Sequence, residues 1–99
     1  MKESIAQAAI LDYLRLKGYF HWRNNTGAFK NDRGGFYRFG TPGSPDIFVL
    51  KMGKIIGIEV KSPTGILSVD QEAFRDSFTQ EGGIYIMARS IDDLDQIGL

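Results

Sequence analysis

Side chains able to do chemistry together stand in two short runs. Pro45-Asp46 opens one apolar run, residues 46–52, and Ile58-Glu59-Val60-Lys61 closes the next, residues 54–61. Gly53 between them predicts a tight hairpin, whose first and last residues meet at one end. Asp46 and Glu59, thirteen positions apart, then face each other, with Lys61 one pleat further on Glu59's side of the sheet. Two converging carboxylates repel unless something positive sits between them. A hard divalent cation meets that need, because Mg2+ takes one or two carboxylates and fills its remaining positions with water and phosphate oxygens. Lys61 would then orient or deprotonate a water beside the cation. The plainer reading is an exposed strand end with a Glu–Lys pair produced by ordinary alternation. Pro-Asp across a hairpin of matching length favours the first.

Two further polar residues bear on this site. Glu3 lies seven and eleven positions before Ile10 and Leu14, on the apolar stripe of a helix predicted over residues 3–17. Ala6, Tyr13 and Lys17 share that face, and Gly18 ends the helix. A carboxylate on the stripe costs free energy unless it is paired or holds a metal; in the first turn it also simply suits the helix dipole. Gln71 is the third helical position of a capping box, Ser68-Val69-Asp70-Gln71. Because its helix begins shortly after Lys61, its amide can instead turn toward the carboxylates.

The elements that must position these residues follow from periodicity. Residues 19–24 are aromatic-rich and predict a strand. Residues 25–45 form a long Gly-rich stretch, with a turn at Gly34-Gly35 and a short strand over 36–39. Ile56, Ile58 and Val60 point to one face of the second hairpin strand, and Ile55, Gly57, Glu59 and Lys61 to the other. Val69, Ala73, Phe74 and Phe78 form the apolar stripe of a helix reaching about Glu81. Residues 84–88 read as a buried strand, and Ser90 caps a last short helix with Asp92 and Asp93 in its first turn. The order predicts an α/β domain with a small mixed sheet flanked by helices. The strands at 54–61 and 84–88 are spaced for a right-handed parallel crossover.

Composition narrows the chemistry. The 99 residues suffice for one domain and one core. Without cysteine there is no disulfide, thiolate chemistry or cysteine-based zinc site, and one histidine excludes mechanisms built on His clusters. No apolar run has a spanning length, and the N-terminus has no signal core, so a cytoplasmic location is expected. Net charge is zero but unevenly spread. Residues 1–61 hold ten Lys/Arg and five Asp/Glu, a balance of +5; residues 62–99 hold two and seven, a balance of −5. A basic face can therefore form over the first two-thirds. Lys30, Arg33 and Arg38 alternate there with Phe29, Phe36, Tyr37 and Phe39, a pattern able to grip phosphate and stack on unpaired bases. The alternative buries those aromatics in the core and leaves the cations merely solvated.

Taken in chain order, Glu3, Trp22-Arg23-Asn24-Asn25-Thr26-Gly27, Gly43-Ser44-Pro45-Asp46, Ile58-Glu59-Val60-Lys61 and Leu67-Ser68-Val69-Asp70-Gln71 resemble the VRR-NUC (virus-type replication-repair nuclease) domain. That domain is a branch of the PD-(D/E)xK nuclease superfamily. The resemblance spans nearly the whole chain as a single domain, residues 1–99. It implies a restriction-endonuclease-like PD-(D/E)xK core and a metal-dependent phosphodiesterase. In it, Asp46 and Glu59 would ligate Mg2+ or Mn2+, with the Val60 carbonyl as a further ligand. Lys61 would be the catalytic lysine, Glu3 a further acid near the metal, and Gln71 a residue lining the site. Asn25 would join Lys30, Arg33 and Arg38 in binding DNA. Stand-alone members of viral or phage type resemble small Holliday-junction resolvases, so the expected substrate is branched DNA, in the host cytoplasm if the source is viral. Cutting two strands of a four-way junction calls for two centres, which a homodimer supplies most simply. Other readings remain open: a non-catalytic nucleic-acid-binding module, a nuclease for flaps or nicked duplex that works with a partner protein, or an α/β protein whose Glu-x-Lys is incidental.

Overall fold

The central hairpin forms where alternation and turn chemistry agree. In the computed structural model, which describes residues 2–99 without the side chains of Ala28 and Phe29, strand β4 (Ile47–Lys51) runs antiparallel to β5 (Lys54–Val60). (The labels β1, β2 and β3 belong to the strands at Phe20–Arg23, Gly27–Lys30 and Phe36–Phe39.) Ile47 pairs with Ile58 and Lys51 with Lys54. The two turn residues, Met52 and Gly53, have φ of 50° and 81°. Positive φ at both positions gives the turn the twist that suits flanking strands.

β1 pairs antiparallel with the other side of β4, and β6 (Ile84–Ala88) runs parallel to β5. The sheet order is β1-β4-β5-β6, a mixed four-stranded sheet. Helix α2 (Val69–Gln80) makes the crossover between the parallel pair, as its spacing predicts. Helix α1 (Glu3–Leu16) opens the chain and a 3₁₀ helix (Ile91–Ile97) closes it.

The two faces of the sheet do different work. One carries Ile47, Val49, Ile56, Ile58, Val60 and Ala88, all fully buried or nearly so, beneath Ala6, Ile10 and Leu14 of α1. That apolar layer is the main source of stability. The other face carries Phe48, Gly57 and Glu59. Phe78 of α2 stacks on Phe74 and reaches Phe48, extending a row of rings through Trp22 to Phe20 with centroids 5.4–6.0 Å apart. Gly57 leaves room in this layer: a Cβ there would meet the Pro45 ring at 2.7 Å and Phe78 at 3.6 Å.

Several expectations are corrected. Glu3 is exposed, not on the buried stripe, which begins one turn later at Ala6. Lys17 is also exposed, its ammonium 5.7 Å from the centre of the Tyr13 ring. In α2 the stripe shrinks to Phe74 and Phe78, because Val69 and Ala73 face away from the sheet. The last helix is 3₁₀, and Ser90 makes no side-chain cap bond; Asp93 instead accepts a bond from the Arg89 backbone N–H at 2.8 Å. Residues 25–45 hold a complete hairpin, β2 with β3, and not one short strand. The sequence Gly-Ala-Phe-Lys has no alternation to reveal β2. Among the described residues no Cα of this hairpin lies within 8 Å of a Cα in another helix or strand. Its projection accounts for a radius of gyration of 14.3 Å, against about 13 Å for a compact chain of this length.

Gly43 fastens the loop before β4 to the start of α2. It has a φ of 77°, and a Cβ would lie 2.1 Å from the Asp70 carbonyl oxygen. Gly18 has a similar φ of 76° with nothing within 4 Å. Gly18→Ala should therefore cost about 1 kcal/mol in urea unfolding, the left-handed penalty alone. Gly43→Ala should cost about 2 kcal/mol more, because backbone must move as well. Equal losses would show that this contact does not hold the loop.

Candidate active site

The antiparallel register continues past the last paired residues, so Asp46 comes opposite Glu59. Glu59 is only 2% exposed. It lies on the α2 side of the sheet, where Gln71 Nε2 donates to its Oε1 at 3.3 Å. Gln71 Oε1 meanwhile accepts from the Ser68 N–H at 2.9 Å, completing the capping box. The two readings of Gln71 are thus both correct: one end of the amide caps the helix and the other holds Glu59.

Asp46 is held at its side chain and at its backbone. Its Oδ2 accepts the Val60 N–H at 2.8 Å. Its backbone carbonyl accepts the Asn24 N–H at 2.8 Å. The Asn24 side chain, in turn, donates to Ser44 Oγ at 2.7 Å and to the Pro45 carbonyl at 3.0 Å. By register Pro45 lies opposite Val60. Proline has no N–H, so Pro45 cannot satisfy the Val60 carbonyl as another residue would.

Burial is the largest influence on Glu59, pushing its pKa up to about 9. A hydrogen bond with Asp46 and the charge of Asp46 act in the same direction, Lys61 opposes them, and Glu3 adds a smaller push. Without a cation Glu59 therefore keeps its proton at neutral pH. Glu3 acts at a distance: among the described residues no group of three or more His, Asp or Glu is arranged to hold a metal ion.

Lys61 is half-buried, its backbone N–H bonded to the Ala88 carbonyl at 3.0 Å. Its aliphatic stem lies along Gly65. The ion pairs among the described residues are Arg15–Asp12 and Arg75–Asp76, so the Lys61 ammonium is not locked onto a carboxylate. Arg89 braces the loop beyond it by donating to the carbonyls of Ser62 and Gly65.

Asn24, Arg89 and Tyr85 were not singled out by spacing. Asn24 had a signal, since it opens the Asn-Asn-Thr-Gly run, but only the fold shows that it clamps the Asp46 loop. Arg89 follows a buried strand directly, where a cation needs nearby carbonyls. Tyr85 pairs with Gly57, which puts it on the Glu59 face. Its hydroxyl is buried without a hydrogen-bond partner among the described residues. Burial, then the charges of Glu59 and Asp46, raise its pKa, so it stays protonated. The DNA-binding candidates Lys30, Arg33, Arg38 and Asn25 are all exposed, on or beside the β2–β3 hairpin.

No protein-family model matches this chain, and no curated protein matches it.

The raised pKa of Glu59 carries a stability consequence. An unfolded glutamate titrates near 4.5, and the folded one near 9. The folded state holds the proton more tightly, so its contribution is fully present below pH 4.5 and is lost as pH rises toward 9. Metal-free protein should lose stability across that window with a slope of up to about 1.4 kcal/mol per pH unit. Glu59→Gln should flatten the slope in chemical unfolding at several pH values. A wild-type slope unchanged by Glu59→Gln would show that Glu59 is not held protonated.

Proposed function

We propose that the protein is a metal-dependent DNA endonuclease that hydrolyses phosphodiesters, with branched DNA such as a four-way junction as its substrate. The observation that carries this reading is the buried Glu59 carboxyl facing Asp46 across the hairpin, with the Lys61 ammonium engaged in no ion pair among the described residues. The reading extends to a PD-(D/E)xK core, supported by an acid at the head of one strand and Glu-x-Lys at the end of its neighbour.

The residues fit a hard dication, Mg2+ or Mn2+. Two carboxylates meet where one must otherwise keep a proton, and the Val60 carbonyl faces a proline that cannot bond it. Asp46, Glu59 and the Val60 carbonyl would hold the ion, and Glu3 adds negative potential from the first turn of α1. When bound, such an ion supplies Lewis-acid charge neutralisation at the scissile phosphate.

The chain's own groups do the rest. Gln71 fixes the Glu59 oxygen, and the Val60 N–H fixes Asp46. The Lys61 ammonium donates a hydrogen bond that orients the attacking water, and the water's proton passes to a phosphate oxygen or to solvent during in-line displacement. No side chain need form a covalent intermediate, which suits a chain without cysteine. Lys30, Arg33, Arg38 and Asn25 grip the DNA backbone. Two copies related by a two-fold axis would cut both strands of a junction.

Lys61→Ala should reduce Mg2+-dependent nicking of a labelled four-way junction by about a hundredfold to ten-thousandfold. Asp46→Asn should have a comparable effect while keeping an oxygen for the Val60 N–H. Circular dichroism and melting should stay close to wild type. Undiminished cleavage by either variant would remove the proposal; junction binding without cleavage by the wild type would indicate a non-catalytic binding module.

A further inference from the structure

The β2–β3 hairpin sorts its side chains by face. Lys30 pairs with Phe36 and Ala28 with Arg38, so Phe36, Lys30 and Arg38 share one face. Phe36 is 74% exposed, with Lys30 across from it and Arg38 two residues along, about 7 Å away. Phe39 is on the opposite face, where its ring covers Gly27, a structural use of an aromatic beside a strand glycine. Phe36 has no such task in the fold.

The hairpin is also pre-formed. Asn31 Oδ1 accepts the Arg33 and Gly35 N–H groups at 3.0 and 2.7 Å, and the Asn31 N–H reaches the Gly35 carbonyl at 2.8 Å. A ligand therefore need not order the tip. At its base, a cleft of about 310 Å3 lined by Thr26, Gly27, Arg38, Phe39 and Asp70 runs to the start of α2. Gln71, the residue that holds Glu59, follows Asp70.

We infer that the Phe36–Lys30–Arg38 face binds unpaired nucleotides, with a base stacked on Phe36 and the flanking phosphates on Lys30 and Arg38. The inference deepens the nuclease reading and rests on it for the destination of the strand: the site takes DNA with a single-stranded segment at the branch. Charge selects this occupant. Residues 25–40 carry Lys30, Arg33 and Arg38 against Asp32 alone, which suits a polyanion with planar bases. A second copy meeting the same face isologously would set like charges against each other.

The test is binding by fluorescence anisotropy in EDTA, with a thymidine oligomer and an abasic strand of equal length. Wild type should bind the thymidine strand about tenfold more tightly than the abasic one. Phe36→Ala should abolish that preference and leave abasic binding unchanged, and Phe36→Trp should keep it. Lys30→Ala and Arg38→Ala should each lower the salt slope by about 0.7 on both strands. A preference that survives Phe36→Ala, or is absent from wild type, overturns the inference. So does dissociation of an oligomer by Phe36→Ala with strand preference intact, which would assign the face to a second copy. EDTA keeps the two readings separable: base preference without cleavage in Mg2+ would sink only the nuclease, and cleavage without base preference only the stacking face.

Discussion

A carboxyl group withdrawn from water cannot stay ionised beside a second carboxylate unless a positive charge joins them. Glu59 is buried against Asp46, and the rest of the site is arranged around that conflict. In the absence of a cation Glu59 resolves it by keeping its proton, its pKa pushed up to about 9. A dication would resolve it differently, by letting both groups ionise around a common centre. The conflict is built into the hairpin, whose I′-type turn fixes the register that sets the two acids opposite each other.

Holding like charges together requires support, and it comes from separate segments. Asn24 ties the loop before β4 to the end of β1. Gly43 lets that loop lie directly against the first turn of α2. The helix can then present Gln71 to Glu59 while its own N-terminus remains capped. Arg89 fixes the chain just beyond Lys61. None of these contacts belongs to the apolar layer under α1, so the sheet separates its apolar core from the acid pair: one face is filled by aliphatic side chains and the other carries the acids.

Much of this was legible in the sequence. The hairpin, the acid pair and the parallel crossover follow from alternation, one glycine turn and helix-length spacing. The capping box also marked the start of α2 at Ser68. Four things were not legible, for physical reasons. Helical angle put Glu3 on the buried stripe, but angle says nothing about where along the helix burial begins. The α2 stripe was overestimated because an apolar residue such as Val69 signals a face only when something packs against it, and Val69 is 82% exposed. β2 carries no alternation because, among the described residues, it pairs with β3 alone and no core imposes one. The roles of Asn24 and Arg89 depend on backbone carbonyls, which no residue pattern reveals.

The most direct measurement is a crystal of the protein soaked in manganese and recorded at an anomalous wavelength. The account predicts one anomalous peak within coordination distance of Asp46 and Glu59 oxygens and of the Val60 carbonyl. An empty map at that position, with the two carboxyls still bonded to each other, would contradict it.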